Sequence, residues 1–368
     1  MKKVSGKFLN DDFEFVDGEI TFENGIFTDI KLKPTANEND EIIVPALIDI
    51  HTHGCCGVDL MSSKTDGFNK MSIYMAQNGI SVFLPTLLTR GRKEILDAAI
   101  QVKKAADKVQ GATIAGINIE GPFFGPECIG ANDLSSTREP DITEIEDIQK
   151  ATNDFIRIVS IDPTLPGALD FIRHFKDSFK ISLGHTPCNF EQAQKAFCAG
   201  ATNITHTFNG MKPMHHRNPN MLCAAFNGDA YMEIICDGFH VHPEMIKLAY
   251  KLAGCDRLVF ISDSLSAMGA PEGVYDIGGM TTVVKNGKAL LEDGTICGGM
   301  TPLYECVLKA VSFGIPFNKA IKCASINSAK AAGIENDYGS ISVGKYADFL
   351  VVDKNYNIKS VYVKGRKI

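Results

Sequence analysis

The sequence has no apolar run long enough to cross a bilayer and no excess of positive charge. Its 368 residues carry a formal net charge of −7. This balance argues against nucleic acid as a partner, because phosphate backbones recruit clustered Lys and Arg. A membrane partner is not expected either, since a spanning helix needs about 20 apolar residues. The first 15 residues turn polar and acidic after Lys2 and Lys3 and lack the apolar core of a signal peptide, so we expect a cytoplasmic protein.

The chain also lacks any pair of cysteines with CxxC spacing, although it contains 11 cysteines. An odd number of cysteines, placed singly inside apolar segments, is typical of free thiols in a reducing compartment. The adjacent Cys55 and Cys56 are the exception. A metal-ligand role for them is disfavoured, because no third or fourth thiol lies nearby in the sequence.

A short apolar strand followed by a helical pattern recurs along the chain. Strands are predicted at 42–50, 80–86, 113–120, 155–162, 179–185, 201–207, 230–237 and 257–263. Helical patterns fall between most of them, most clearly at 91–108 and at 189–199. Eight such alternations predict an α/β fold in which parallel strands close a (β/α)8 TIM-like barrel.

The two ends of the chain have a different pattern. Residues 1–43 and 339–368 show short alternations of polar and apolar residues between turns, which predict hairpins. Neither end could bury a core alone, so we expect both to form one small β-sandwich domain, with the barrel at 44–338. A third β-rich stretch, about 274–297, is expected as an insertion in the barrel.

Rare polar residues stand where the predicted strands end, which is where barrel enzymes carry their functional groups. Five of these seven positions use one of the nine histidines of the chain. The seven residues are His51, His53, Glu120, His185, His206, His240 and Asp263.

Imidazole and carboxylate ligands suit zinc or iron, and three protein ligands leave positions for water. His51 and His53 are alternate residues of an extended chain, so both rings can reach one ion. Each position also has a structural interpretation. The two histidines could belong to a turn, Glu120 could pair near a loop, and His185 and His206 could be hydrogen-bonded strand residues.

Asp263 and Arg217 are candidates for chemistry rather than for metal binding. An Asp263 that faces the metal could accept a proton from water, and otherwise it would be a helix N-cap. Arg217 lies in a loop with few apolar residues and could bind an anion bidentately, or it could be an ordinary surface arginine.

Eight segments occur in an order that matches a known family. They are PALIDIHTHG, INIEGPFFG, SLGHTP, ITHTFNGM with HHR close behind, ICDGFHV, VFISDSLSAMGA, GTICGGM and GSISVGKYADFLVVD. The chain thereby resembles the N-acetylglucosamine-6-phosphate deacetylases of the amidohydrolase superfamily. The resemblance covers nearly the whole chain and implies a homodimer that acts on an amino-sugar phosphate.

The resemblance also implies residue roles. The metal ligands would be Glu120, His185 and His206, with His51 and His53 adding a second ion, and Asp263 would be catalytic. One or two divalent ions per subunit are implied, with zinc favoured over Fe, Mn, Co or Ni. The substrate contacts implied are Ala131, Asn132, Asn209, Gly210, Arg217, His240, Ile296, Cys297, Gly298 and Gly299.

Two positions depart from the family pattern. Asn132 stands where relatives commonly have a histidine that helps to polarise the acetamide carbonyl, and an amide NH2 can still donate a hydrogen bond. The segment Ser160-Ile161-Asp162-Pro163 stands where relatives usually have Ala-Pro-Glu.

The expected reaction is hydrolysis of the acetamide of N-acetylglucosamine 6-phosphate to glucosamine 6-phosphate and acetate. Two alternatives stay open: the same reaction on N-acetylgalactosamine 6-phosphate, and a non-catalytic sugar-phosphate sensor. A cyclic-amide hydrolase with paired metals is disfavoured, because those enzymes usually need a lysine on the fourth strand and FIRIVSID has none.

Overall fold

Eight short, almost fully buried strands form a parallel sheet that closes on itself. A computed structural model describes residues 1–33, 41–277 and 279–368. The barrel strands are β1 (Leu47–Thr52), β2 (Ile80–Leu87), β3 (Ile117–Glu120), β4 (Ile156–Ile161), β5 (Lys180–Leu183), β6 (Asn203–Ile204), β7 (Tyr231–Ile235) and β8 (Leu258–Ile261). The barrel closes between β8 and β1, where the backbone N–H of Asp263 donates to the carbonyl of His51 at 3.0 Å.

Ten α-helices are present among the described residues. They are α1 (Thr65–Gln77), α2 (Arg92–Ala106), α3 (Ile142–Thr152), α4 (Ala168–Phe175), α5 (Phe190–Ala199), α6 (Met221–Asn227), α7 (Pro243–Ala253), α8 (Leu303–Ser312), α9 (Phe317–Cys323) and α10 (Ile326–Ala332). The predicted helix at 189–199 begins at an Asn189 N-cap whose side chain accepts the backbone N–H of Gln192. None of the helices in the described ranges is long and apolar enough to cross a membrane.

The first predicted strand, 42–50, is wrong as a single element. Ile42–Pro45 pairs with Lys2–Leu9 and Phe349–Val352 in a separate sheet, and the barrel strand β1 begins at Leu47. Both halves are apolar and rich in β-branched residues, so the periodicity could not detect the break between them. The predicted strand 113–120 is also interrupted, because Thr113–Ile114 pairs with β2 while β3 starts at Ile117.

The two ends of the chain meet in one seven-stranded sheet. In spatial order its strands are Arg366–Lys367, Ile358–Val363, Phe349–Val352, Ile42–Pro45, Lys2–Leu9, Phe15–Glu23 and Ile26–Leu32. This sheet has its own apolar core, in which the rings of Phe349 and Tyr362 stack with centroids 4.3 Å apart. The predicted fold class, a barrel with a small β domain from both termini, is confirmed.

The predicted β-rich insertion contains a four-stranded antiparallel sheet. Its strands are Gly273–Ile277, Met280–Lys285, Lys288–Leu290 and Ile296–Gly298. A further pair, Gly54–Cys55 and Val58–Asp59, follows β1. The domain boundaries at 43/44 and 338/339 stay a prediction. Residues 34–40 of the predicted N-terminal segment and residue 278 of the predicted insertion lie outside the described residues.

Candidate active site

A cavity of about 180 Å³ opens at the carboxyl ends of the barrel strands. Imidazole, carboxylate and amide groups form one side of it, and the last strand of the four-stranded sheet forms another. The lining residues are His53, Leu88, Glu120, Gly130, Ala131, Asn132, His185, His206, Asn209, Gly210, His240, Asp263, Thr295, Ile296, Cys297 and Gly298.

Three of these side chains are turned into the cavity by the same backbone feature. His185, His206 and Asp263 each stand two residues beyond a barrel strand, with φ of 47°, 25° and 48°. A residue other than glycine costs about 1–3 kcal/mol in a sparsely populated backbone region, and such strain concentrates at functional sites. The repetition of this bend after β5, β6 and β8 indicates that the fold is organised around the site.

Close packing around the imidazoles requires a glycine at position 210. Gly210 has a φ of 58°, and a Cβ there would lie 2.9 Å from His185 Nδ1. A larger residue would therefore push against the ring as well as strain the backbone.

Two groups of three possible metal ligands share Glu120. One group is His51, His53 and Glu120, and the other is Glu120, His185 and His206. Glu120 Oε1 lies 3.0 Å from Nε2 of both His185 and His206. Its second oxygen, Oε2, lies 3.2 Å from His53 Nε2. The carboxylate of Glu120 thus stands between two pairs of imidazoles.

Hydrogen bonds fix the tautomer of all four histidines. The Nδ1 atoms of His53, His185 and His206 lie 3.0, 3.0 and 3.1 Å from backbone carbonyls of Thr86, Cys128 and Asn209. The Nδ1 atom of His51 lies 3.0 Å from Glu233 Oε2. Because carbonyl and carboxylate oxygens only accept, each Nδ1 carries the proton. Each Nε2 therefore faces the centre and can offer a lone pair to a cation there, as metal-ligating histidines do.

This donor set fits a divalent cation. His51 Nε2 is buried without a hydrogen-bond partner among the described residues, although it lies 3.7 Å from Glu120 Oε1. Nε2 atoms of His185 and His206 lie only 3.0 Å apart. Donor atoms this close are stable only with positive charge between them, and ligand atoms about 2 Å from one ion are about 3 Å apart. Mixed imidazole and carboxylate ligands suit zinc or iron.

The electrostatics of the site keep its carboxylates ionised. Burial alone would raise the pKa of Glu120, but His51, His185 and His206 outweigh it and hold that pKa well below its usual range. The pKa of Asp263 is lowered in the same way, against the effect of burial, by His51 and His53. Asp263 Oδ1 lies 3.4 Å from His51 Nε2 and 3.2 Å from His53 Nε2. A carboxylate is therefore available beside the centre at neutral pH.

His240 is presented to the cavity by an acidic partner. Its Nδ1 lies 2.6 Å from Asp237 Oδ2, while Oδ1 of Asp237 accepts the backbone N–H groups of Phe239 and His240. Nε2 of His240 is buried and has no hydrogen-bond partner within the described ranges. The contact with Asp237 fixes the orientation of the His240 ring at the cavity wall.

Asn132 reaches the centre from the loop after β3. Its Nδ2 lies 3.4 Å from His185 Nε2, and its Oδ1 is buried without a partner in the described part of the chain. Asp162 belongs to the second segment that differs from the family pattern. It lies outside the cavity lining and accepts a hydrogen bond from Thr186 Oγ1 at 2.5 Å.

The structure brings most of the predicted site residues together, with three exceptions. His51 is fully buried beneath the cavity, within β1 rather than after it. Gly299 does not line the cavity, but its N–H donates to the carbonyl of Asp263 at 2.6 Å. Arg217 is exposed and lies outside the lining, with Nη1 2.8 Å from His216 Nε2.

Sequence reasoning missed several neighbours of the centre. Leu88, Gly130 and Thr295 line the cavity without carrying a signal of their own. Glu233 did carry a recognisable sequence signal, because a glutamate inside the apolar strand YMEII is costly to bury without a partner.

These features define a class of protein: an α/β barrel enzyme with a candidate metal centre at the carboxyl ends of its strands. A model of the Amidohydrolase family matches residues 42–368. The chain belongs to this family, as its sequence motifs predicted.

Individual relatives are similar over nearly their full length. An N-acetylglucosamine-6-phosphate deacetylase of Vibrio furnissii is 34% identical over 94% of this chain and 89% of its own. An N-acetylgalactosamine-6-phosphate deacetylase of Escherichia coli O157:H7 is 32% identical over 95% of this chain and 94% of its own. The structure is also similar to that of a mutant N-acetyl-D-glucosamine-6-phosphate deacetylase of Mycobacterium smegmatis in complex with N-acetyl-D-glucosamine-6-phosphate. That similarity has a TM-score of 0.93 at 26% identity, over 99% and 98% of the two chains.

Proposed function

We propose that this chain hydrolyses the acetamide of N-acetylglucosamine 6-phosphate to glucosamine 6-phosphate and acetate, in amino-sugar catabolism. The observation that carries the proposal is the convergence of Glu120, four histidines and Asp263 on one centre beside the cavity. The names of the similar proteins from V. furnissii and M. smegmatis support the substrate class.

The metal ligands we propose are Glu120, His185 and His206, with His51 and His53 completing a second position beside them. The hydrogen bonds that fix each Nδ1 proton support this set. These residues would hold a divalent ion, most simply zinc, which would supply a Lewis acid for polarising the amide carbonyl and for making water a better nucleophile.

Asp263 is proposed as the general base. Its low pKa keeps it ionised at neutral pH, so it can take a proton from the water whose oxygen attacks the acetamide carbon. As the carbon–nitrogen bond breaks, the same carboxyl group delivers that proton to the nitrogen, which leaves as the amine. Acetate is the other product.

His240 is proposed to bind the phosphate, supported by its acidic partner Asp237 and its free Nε2. Asn209, Gly210 and the strand residues Ile296–Gly298 with Gly299 behind them would contact the sugar phosphate. Holding the phosphate fixes the distance to the acetamide, which lowers the entropy cost of the reaction. Arg217 stays a predicted phosphate ligand, and that role requires it to approach a cavity that it does not line.

Asn132, beside Ala131, is proposed to donate its amide N–H to the substrate carbonyl. Its Nδ2 lies near the ligand His185, and a donor there would stabilise negative charge that develops on the oxygen.

N-acetylgalactosamine 6-phosphate is the second candidate substrate. It differs at one hydroxyl, and the similarity to the E. coli O157:H7 protein, at 32% identity, is close to that of the V. furnissii protein, at 34%.

The test is acetate release by purified protein from both N-acetylhexosamine 6-phosphates and from unphosphorylated N-acetylglucosamine, with and without a chelator. We expect release from the gluco phosphate, little from the unphosphorylated sugar, and loss on chelation. Faster release from the galacto phosphate would reverse the choice of substrate. No acetate from any of them, despite bound metal, would favour the non-catalytic sensor.

A cytoplasmic location and a homodimer complete the proposal. The 11 cysteines are all free, which supports a reducing compartment. The homodimer rests on the family resemblance, and sedimentation of the purified protein would test it.

A further inference from the structure

A buried glutamate on β7 contacts the candidate metal centre from below. Glu233 is only 1% exposed. Its Oε2 accepts the Nδ1–H of His51 at 3.0 Å and the backbone N–H of His206 at 3.3 Å. Its Oε1 has no hydrogen-bond partner in the described part of the chain. Glu233 therefore touches one histidine from each of the two ligand groups without itself facing the cavity.

The partner of His51 differs from the partners of the other three histidines. His53, His185 and His206 donate from Nδ1 to neutral backbone carbonyls. His51 alone donates to a side-chain carboxylate. A charged acceptor on Nδ1 makes the opposite nitrogen a stronger electron donor and fixes the ring, and such partners typically change metal affinity by about 10–100-fold.

The two contacts of Glu233 are not equivalent. The bond to His206 involves only the main chain, so it positions the residue without altering its imidazole. The bond to His51 involves the ring itself. The charge of Glu233 therefore acts on the half of the centre formed by His51, His53 and Glu120, more than on the half formed by Glu120, His185 and His206.

We infer that Glu233 is a positioning residue that sets the affinity of the His51 half of the centre, and so determines whether a second divalent ion is retained. This inference rests on the metal centre proposed above. Its observable consequence is a change in one of two zinc affinities, independent of catalytic activity.

The test is zinc titration of metal-free wild-type protein and the Glu233→Gln variant against a chromophoric chelator. Glutamine keeps a neutral acceptor for His51 Nδ1, as the other histidines have, and removes only the charge. We expect two ions to bind wild type, and one of the two dissociation constants to rise by about 10–100-fold in E233Q. His51→Ala should weaken the same ion more strongly.

Asp49→Asn is the matched control. Asp49 is also a buried barrel carboxylate, but it accepts from the backbone N–H of His51 and from Ser262 rather than from an imidazole ring. D49N should keep both zinc affinities. Equal unfolding midpoints of the metal-free proteins would show that E233Q is folded.

The possible results distinguish a failure of the role inferred for Glu233 from a failure of the proposed metal centre. If E233Q binds both ions as tightly as wild type, or weakens both equally, the selective role of Glu233 is overturned while the metal centre stands. Wild-type protein that binds a single ion would overturn this role as well. Wild-type protein that binds no zinc would overturn the proposed metal centre itself.

Discussion

At the scale of single residues, Asp263 combines burial with proximity to two ligand histidines. Its side chain lies within 3.4 Å of His51 Nε2 and 3.2 Å of His53 Nε2, and it stands at a strained bend after β8. Although it is only 9% exposed, this carboxylate lines the cavity and can exchange a proton with a molecule bound there.

Asp263→Asn is expected to lower turnover of N-acetylglucosamine 6-phosphate by about 10²–10⁴-fold, because the amide cannot take a proton from water. The metal content should be unchanged, since Glu120 and the four histidines remain. Acetate release and metal analysis on the same preparation check this. Turnover near that of wild type, with full metal content, would remove Asp263 from the mechanism.

Asn132→Ala tests the proposed contact with the carbonyl. Loss of one donor to a developing oxyanion typically lowers kcat by about 10²–10³-fold, and the KM should change little because the phosphate contacts remain. Asn132→His, the residue that the family resemblance implies at this position, should keep activity within about tenfold of wild type by restoring a donor. If N132A had a normal kcat, the carbonyl would have to be held by another group.

At the scale of elements, the barrel was predictable because its strands are buried on both faces and read as continuous apolar runs. The positions of Glu120, His185 and Asp263 followed from the rule that functional residues stand at the carboxyl ends of such strands. Pro45 was not recognised as the end of a strand in another sheet, because sheet membership depends on pairing with residues far away in the sequence. The position of Arg217 could not be predicted for a different reason: it lies in a loop, and a loop has no periodicity from which the direction of a side chain could be inferred.

A buried carboxyl group directly before the strand Phe349–Val352 of the terminal sheet should make stability depend on pH. Asp348 is 6% exposed, and burial raises its pKa to about 6. Its Oδ1 accepts the backbone N–H of Lys364 at 2.6 Å, while Oδ2 has no hydrogen-bond partner among the residues described. The folded protein therefore binds a proton here more tightly than the unfolded chain does, so this group's contribution to stability falls as the pH rises from about 4 through 6.

Asp348→Asn removes this titration and keeps an acceptor for Lys364. The free energy of unfolding of the variant, relative to wild type, should increase by about 1 kcal/mol from pH 5 to pH 8, because wild type loses stability over that range. Urea unfolding at the two pH values measures the difference. A difference that does not change with pH, or that shrinks as the pH rises, would contradict the sign of the pKa shift.

At the scale of the whole molecule, the candidate ligands connect distant parts of the barrel wall. They come from β1 and from the ends of β3, β5 and β6, while β8 closes the barrel against β1 beside Asp263. An ion held by these residues would join strands that are not neighbours in the sheet. Because the unfolded chain lacks this arrangement of ligands, binding of the ion would add to the stability of the folded protein.

Removal of metal should therefore lower the stability of the entire protein. A ligand that binds only the folded state, at about 1,000 times its dissociation constant, stabilises that state by about 4 kcal/mol. We expect the thermal unfolding midpoint of chelator-treated protein to rise by several degrees when zinc is restored. A His185→Ala variant should respond less, because Glu120 and His206 would lack their third ligand. If the wild-type midpoint were the same with chelator and with zinc, the four histidines and Glu120 would not be acting as a metal centre, and their convergence would need another explanation.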